Sequence, residues 1–237
     1  MEVASLYREP ERTEEQAPAA LEFHDVFKIY RSGPAEAVAL RGLDLRIEPG
    51  EFVAVLGPSG SGKSTFLHLA AGLDEPSAGE VRAFGEPLNR LDEAGLAEYR
   101  ARKIALVFQT DNLWPILTAR ENVVAAVRLA GVRQTGTAAN EALEIVGLRN
   151  RATHRPRALS GGEQQRAAIA AAAARRAPLV LADEPTGELD VDNERRVLDE
   201  LRRLRAEFGS TVITVTHSPR LAEQAERVIE IRDGRVV

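Results

Sequence analysis

One octapeptide constrains the fold of this chain more than any other feature. Residues 57–64 read Gly-Pro-Ser-Gly-Ser-Gly-Lys-Ser and match the pattern G-x-x-x-x-G-K-[ST] in full. The apolar run Phe52–Leu56 precedes the match and suits a strand buried on both faces, and a helix is predicted over Lys63–Leu73. Glycines let a backbone fold around phosphate with its amides pointing inward, and a helix N-terminus adds positive potential. The sequence therefore predicts a strand–loop–helix unit that cradles phosphate.

Two side chains of this loop have predicted roles of their own. Lys63 supplies a point charge for the outer phosphates of a nucleotide, and the Ser64 hydroxyl can ligate Mg²⁺. A chance Gly/Ser turn is the alternative, and the flanking strand and helix disfavour it. The predicted nucleotide contacts, called the cradle below, are Gly57, Pro58, Ser59, Gly60, Ser61, Gly62, Lys63, Ser64 and Thr65.

A second candidate group lies at the end of a later apolar run. Residues 179–182 are all apolar, and Asp183 and Glu184 follow them directly. We predict that Asp183 holds Mg²⁺ through water and that Glu184 polarises the attacking water as a general base. Surface strands often end in acidic residues, so this pair carries weight only together with the cradle.

A second small-residue turn opens another predicted helix. Residues 159–166 read Leu-Ser-Gly-Gly-Glu-Gln-Gln-Arg. The Ser160 hydroxyl and the amides near Gly161 and Gly162 suit an anion. Residues 160–162 are called the serine-glycine turn below. Since the cradle already accounts for the phosphates of one nucleotide, this second anion site needs its own explanation.

These three motifs in this order resemble the ATP-binding domain of ABC transporters, and the resemblance extends over about residues 21–237. It implies ATP as substrate, Mg²⁺ as cofactor and ATP hydrolysis as the activity. It also implies that the serine-glycine turn binds the γ-phosphate of ATP held by a second copy or by a homologous ATPase subunit, so that two ATP molecules are sandwiched between two chains. An integral membrane permease is the further implied partner, with the chain peripheral at the cytoplasmic face of the cell membrane.

Four further positions match this family. Gln109 resembles the glutamine that touches the metal or the attacking water, and His217 resembles the histidine that hydrogen-bonds the γ-phosphate. Asp190 resembles the aspartate of the loop that crosses the dimer interface. Tyr30 resembles the aromatic residue that stacks on adenine, although a strand-end tyrosine in a core is the alternative. The remaining histidines are expected to be structural or surface residues: His24, His68 and His154.

The order of predicted elements indicates an α/β fold. Strands come first and βα units follow, which favours a mostly parallel sheet flanked by helices. The resemblance specifies the P-loop NTPase fold of ABC type, with an antiparallel β subdomain and an inserted helical subdomain at about residues 110–160. Thr118 and Glu121 fit a capping box at the start of one of its helices. Residues 1–20 are polar and are predicted to be a disordered leader.

Composition excludes several other classes of protein. The net charge is -5, whereas nucleic-acid binders are usually basic, so no nucleic-acid partner is expected. The absence of cysteine excludes disulfides and cysteine-based metal sites. No apolar run reaches the ~18 residues of a membrane span.

Residues 182–190 and 50–60 are similar to the branch of the family that includes lipoprotein-release (LolD), macrolide-export (MacB) and cell-division (FtsE) ATPases. Two hypotheses stay open. The chain drives a permease, or it is a cell-division-type ATPase that transmits force or signal without moving cargo. The chain departs from the usual family pattern at Trp114, Glu188 and residues 170–172, and these departures leave the identity of the permease undetermined. The sequence also leaves the transported substrate and the direction of transport undetermined.

Overall fold

The computed structural model describes residues 17–33 and 35–237, so most of the predicted leader lies outside the described residues. The strands are β1 (Leu21–Ser32), β2 (Ala35–Ile47), β3 (Phe52–Leu56), β4 (Ala78–Ala83), β5 (Glu86–Pro87), β6 (Ile104–Val107), β7 (Leu179–Asp183), β8 (Thr211–Thr216), β9 (Arg227–Arg232) and β10 (Arg235–Val236). The helices are α1 (Lys63–Ala70), α2 (Glu93–Arg102), α3 (Ala119–Leu129), α4 (Thr135–Ile145), α5 (Gly161–Arg175), α6 (Val191–Phe208) and α7 (Pro219–Ala222).

The central sheet has the strand order β10-β9-β3-β8-β7-β6. The strands from β9 to β6 pair in parallel, and β10 closes an antiparallel hairpin with β9. All six residues of β8 are buried, because helices cover both faces of a parallel sheet and leave no solvent-facing side. The predicted α/β class is confirmed.

Alternate residues of these strands enter two different cores. Val53 and Val55 of β3 pack on one face with α1 and the antiparallel sheet. Phe52 and Val180 pack on the other face with α3, α4, α5 and α6. This division follows from the two-residue period of a strand, and it fixes the ends of β3 and β7 between two packed layers.

The second sheet is antiparallel, in the order β2-β1-β4-β5. Its β1–β2 register shifts between Phe23 and Val26, and Asp25 there has a φ of 46°. Gly79 on β4 faces this irregular segment, where a Cβ atom would lie 2.3 Å from the Asp25 carbonyl oxygen. The close approach of two backbones therefore requires glycine at this position.

Helices α3 and α4 follow each other between β6 and α5, and they pack against each other and against α5. Val123, Val127, Leu143 and Ile169 from these three helices are fully or almost fully buried in one core. The predicted capping box is present, with Thr118 N donating to Glu121 Oε2 at 2.8 Å and Glu121 N donating to Thr118 Oγ1 at 3.2 Å. This core continues beneath the central sheet, so α3 and α4 are fixed relative to the strands.

Some predicted boundaries are wrong by a few residues. Helix α1 ends at Ala70 because Gly72, with a φ of 60°, cannot continue a right-handed helix. Ala19 and Ala20, the last residues of the predicted leader, are buried, and Ala20 N donates to the Ile47 carbonyl at 2.9 Å. Among the described residues, none of the helices has both the length and the apolar composition that crossing a membrane requires.

Candidate functional site

The cradle connects β3 to α1 and is packed from behind by backbone. A Cβ atom on Gly57 would lie 2.2 Å from the Ile231 carbonyl oxygen, and one on Gly62 would lie 2.5 Å from the Ala39 carbonyl oxygen. Gly60 and Gly62 also have positive φ values of 79° and 107°. Gly57 therefore meets a steric requirement, Gly60 a conformational one, and Gly62 both.

Lys63 places its charge inside this loop. Its Nζ donates to the carbonyl oxygens of Gly57, at 2.7 Å, and Pro58, at 2.9 Å, and the residue is only 9% exposed. The buried Ser61 hydroxyl has no hydrogen-bond partner among the described residues. A tight backbone loop that encloses a cation fits a polyphosphate group.

Ser64 and Asp183 bring two hard oxygen ligands together at the start of α1. Burial, and next the neighbouring charge of Glu184, raise the pKa of the Asp183 carboxyl above its usual value. The positive charges of His68 and Lys63 and a hydrogen bond with Ser64 partly offset this rise. The described residues contain no group of three or more His, Asp or Glu side chains that could hold a metal. The pair fits Mg²⁺, which takes few protein oxygens and completes its shell with water and phosphate.

Glu184 follows β7 in a conformation that is rare for a residue with a side chain, with a φ of 45°. Its Oε2 accepts from Thr216 Oγ1 at 3.0 Å, and its Oε1 lies 2.7 Å from His217 Nδ1. Thr216 is the last residue of β8 and His217 follows it, and β8 pairs with β7 in parallel. The sheet thus brings the predicted base and the predicted histidine into contact.

Gln109 lies beside the turn that follows Glu184, and Tyr30 lies near Thr65 at the start of α1. The position of a Cβ on Gly187, in the turn after Glu184, would be 3.2 Å from Gln109 Nε2. Tyr30 is 41% exposed, so the structure places it at the surface and not in the core. Its hydroxyl donates to Asp74 Oδ2 at 2.9 Å, and Lys28 Nζ lies 5.0 Å from its ring centroid. The ring is held near α1 and remains accessible.

The serine-glycine turn has a different environment. Ser160 caps α5: its Oγ accepts from Glu163 N at 3.2 Å, and its own N donates to Glu163 Oε2 at 2.8 Å. The hydrogen bond from the Ser160 amide lowers the pKa of the Glu163 carboxyl, and the nearby charge of Arg151 acts in the same direction. Ser160 and Gly161 are exposed.

The neighbour of this turn is the start of α6. Leu189 Cδ2 lies 3.7 Å from the position of a Cβ on Gly161, and Asn193 packs against Gly162. Asp190 caps α6 by accepting from Asn193 N at 2.8 Å. The turn and Asp190 are therefore adjacent in one chain.

Comparisons with known proteins identify the family. The model of the family described as "ABC transporter" matches residues 40–187, more than half of the chain. The chain belongs to the ABC transporter family. The lipoprotein-releasing system ATP-binding protein LolD of Geobacter metallireducens is 45% identical over 219 residues, which cover 92% of this chain and 97% of LolD.

A second relative and a solved structure support the same family assignment. The macrolide export ATP-binding/permease protein MacB of Azoarcus is 43% identical over 92% of this ABC cassette but over only 33% of MacB itself. A dimeric ATP-binding cassette in a post-hydrolysis state with ADP and Pi superimposes with a TM-score of 0.85, at 41% identity, over 91% of this chain and 96% of that one. The predicted family, its LolD/MacB branch, the ABC-type fold and ATPase activity are confirmed.

Three residues near the candidate site of this cassette were not predicted from the sequence: Thr216, Asp74 and Asn193. Thr216 contacts Glu184 only because β7 and β8 are neighbours, with Asp183 opposite Val215. Asp74 reaches Tyr30 across 44 residues of sequence. These are contacts between distant segments, for which the sequence carries no local signal. Asn193 lies within the turn of α6 that follows Asp190, so a capping pattern was the signal that could have found it.

Proposed function

We propose that this ABC cassette is the ATP-hydrolysing motor of a membrane transporter, and that two copies bind two Mg²⁺–ATP molecules between them. The observation that carries this proposal is an asymmetry within one chain. Lys63, Ser64, Asp183, Glu184 and His217 gather around the cradle, whereas the exposed serine-glycine turn contacts the start of α6 instead. A second chain is the partner that can bring such a turn to a nucleotide.

In this proposal the cradle binds and orients the triphosphate. Its amides and Lys63 hold the phosphates, and Tyr30 offers an aromatic surface for adenine. Ser64 and Asp183 would hold Mg²⁺, with Gln109 close to the metal or the attacking water. When bound, Mg²⁺ neutralises charge on the phosphates. Catalysis then depends mostly on position and charge stabilisation.

Glu184 is the proposed general base. It accepts a proton as a water oxygen attacks the γ-phosphorus, and the bond from that phosphorus to the ADP oxygen breaks to give ADP and phosphate. Thr216 Oγ1 donates to one of its carboxylate oxygens, and His217 Nδ1 lies against the other. Approach of a γ-phosphate would draw His217 toward that phosphate and leave Glu184 free to face water.

Closure of the dimer uses the serine-glycine turn. The helix N-terminus and the amides around Gly161 are suited to the γ-phosphate of the other chain's ATP, and Asp190 lies beside them. A monomer should therefore hydrolyse ATP poorly, and hydrolysis should let the dimer reopen.

A membrane permease is the proposed further partner, which would make the chain peripheral to the membrane. LolD is named as part of a lipoprotein-releasing system, and MacB as an ATP-binding/permease protein. In support, Trp114 and Leu129 are 56% and 66% exposed and line a groove of about 210 Å³ between α3 and α5. Exposed apolar groups around a groove are typical of protein interfaces.

Isolation of the intact complex from its native membrane tests this partner. We expect a tagged chain to co-purify with an integral membrane subunit in a defined ratio. Substituting Trp114→Asp should release that subunit and leave the ATPase activity of the free cassette unchanged. Recovery of the chain with no membrane subunit would contradict the proposal, and recovery with a wall-hydrolase regulator would favour the cell-division alternative.

The ATPase half is tested separately with Glu184→Gln. The variant should bind ATP, lose turnover and remain as a closed dimer, since it lacks the base but keeps the cradle. Unchanged turnover would remove Glu184 from the role of base.

A further inference from the structure

Asn193 connects the serine-glycine turn to Asp190. It is the third residue of α6, and its backbone N donates to Asp190 Oδ1 at 2.8 Å in an ordinary helix cap. Its side chain adds two bonds that a cap does not need. Nδ2 donates to Asp190 Oδ2 at 2.8 Å, and Oδ1 accepts from Arg166 Nη1 at 3.0 Å. One amide thus bridges the starts of two helices.

Gly162 leaves the space that Asn193 occupies. It does not have a positive φ, so its backbone conformation does not require glycine. A Cβ atom at this position would lie 2.5 Å from Asn193 Oδ1 and 2.9 Å from Asn193 Cβ, distances too short for any side chain. The absent side chain lets Asn193 lie directly on the turn.

The other anchor on α5 is fixed as well. Arg166 is only 7% exposed, and it lies four residues after Gly162, on the same face of α5. Asn193 therefore contacts two successive turns of that face. The buried guanidinium of Arg166 and the carboxylate of Asp190 therefore hold the Asn193 side chain from two directions.

We propose that Asn193 is a positioning residue that fixes the serine-glycine turn relative to Asp190, so that both meet a second copy of the chain as one surface. The inference rests on the proposed function, in which these two elements act across the dimer. Asn193 is assigned no contact with nucleotide. Its loss should weaken closure of the dimer and leave the cradle of its own chain intact.

The experiment compares two properties of the Glu184→Gln chain with and without Asn193→Ala. Sedimentation velocity measures ATP-dependent dimerisation, and titration of dilute monomer with a fluorescent ATP analogue measures the affinity of the cradle. We expect Asn193→Ala to weaken dimerisation about tenfold or more, from the loss of two side-chain hydrogen bonds, with the affinity of the cradle changed less than about twofold.

Glu121→Ala is the matched control. Glu121 is also the third residue of a helix and also completes a cap, since its Oε2 accepts from Thr118 N and Thr118 Oγ1 at 2.8 and 2.9 Å. It lies in α3, outside the serine-glycine turn. The control should lower the melting temperature about as much as Asn193→Ala and dimerise like the Glu184→Gln parent.

A second variant separates the two ends of the bridge. Asn193→Asp keeps an acceptor for Arg166 but faces Asp190 with a second carboxylate, so it should lose about as much dimerisation as Asn193→Ala. Dimerisation of either Asn193 variant at the level of the Glu121→Ala control would overturn the inference. If the parent itself stays monomeric with ATP, the proposed function fails first, which is a different result.

Discussion

The cradle and the serine-glycine turn are both glycine-containing loops that open a helix, yet their surroundings differ. The cradle is enclosed: Ile231 and Ala39 pack behind its glycines, and Lys63 bonds to its own loop. The turn is exposed at Ser160 and Gly161, and it is held by a cap within α5 and by Asn193 of α6. The cradle is enclosed by residues of its own chain, whereas the turn exposes Ser160 and Gly161.

This difference indicates that the two loops should fail in different ways. Damage to the cradle should appear in a monomer as lost nucleotide affinity. Damage to the turn should leave the nucleotide affinity of a monomer unchanged and should appear only as weaker closure of the dimer. The predictions below use this separation and run from the largest expected effect to the smallest.

Lys63→Ala should have the largest effect. It removes a cation that is nearly buried within the cradle, and charged hydrogen bonds of this kind contribute about 1.5–3 kcal/mol each. We expect ATP affinity to fall by about 100-fold, because more than one such bond to phosphate is lost. Equilibrium binding of ATP to dilute monomer measures this. An affinity within a few-fold of the unmodified chain would show that the cradle does not hold the phosphates through Lys63.

Ser160→Asp should leave the monomer almost unchanged and prevent closure. Aspartate caps a helix about as well as serine, so α5 should stay intact, but its carboxylate would repel the γ-phosphate presented by another chain. In a Glu184→Gln background we expect normal ATP binding and no ATP-dependent dimer in sedimentation. Ser160→Asn, which caps without charge, is the control. Equal dimerisation of both variants would contradict a role for the turn in binding phosphate.

Gly234→Ala tests the packing behind the cradle. Gly234 has a φ of 76°, its N donates to the Ser61 carbonyl at 3.0 Å, and a Cβ there would lie 2.6 Å from the Ala39 carbonyl oxygen. We expect about 1–3 kcal/mol less stability from the strained backbone, together with weaker ATP binding. Gly209→Ala, where φ is also positive but no atom lies within 4 Å, is the control for strain alone. Unaltered ATP affinity in Gly234→Ala would show that this packing contact does not contribute to nucleotide binding.

Two carboxylates, one beside each loop, have pKa values that shift in opposite directions. Burial and the charge of Glu184 raise the pKa of Asp183, so its charged form destabilises the fold once the pH exceeds the ordinary pKa of aspartate. Asp183→Asn should therefore give a small rise in melting temperature at neutral pH, and the difference should vanish in acid. A lower melting temperature at neutral pH would contradict this account of the charge.

Glu163→Gln should show the smallest effect, with the opposite sign. The Ser160 amide lowers the pKa of Glu163, so the ionised carboxylate stabilises the fold above the ordinary pKa of glutamate, and this stabilisation is lost as the pH falls through the lowered value. The melting temperature of the variant should be slightly lower than that of the unmodified chain at neutral pH and the same in strong acid. Thermal unfolding across that range measures the difference, and a pH-independent one would argue against the capping carboxylate as its cause.

The sequence predicted the local parts of this site better than their arrangement. The cradle, the acidic end of β7 and the cap at Thr118 are set by neighbouring residues, and the structure has all of them. Contacts between distant segments, such as Thr216 with Glu184 and Gly234 with the cradle, depend on the order of strands in the sheet. That order follows from packing of the whole chain and has no local pattern.

Functional assignments to Gln109, His217, Asp190 and Tyr30 came from resemblance to the family and not from patterning. The structure places Gln109 and His217 beside the turn and carboxylate of Glu184, and Asp190 beside the serine-glycine turn. Their roles in binding and hydrolysis stay predictions. The predicted end of α1 was wrong because a single glycine, Gly72, outweighed the apolar periodicity around it.

Complementation between two inactive chains tests the central claim most directly. Lys63→Ala damages the cradle, and Ser160→Asp damages the turn, so each variant alone should be inactive. If the turn acts on ATP held by the other chain, a mixed dimer carries both lesions at one nucleotide site and none at the other, and mixing should restore ATP hydrolysis above the sum of the separate variants. Verified mixed dimers with no more activity than that sum would contradict the account.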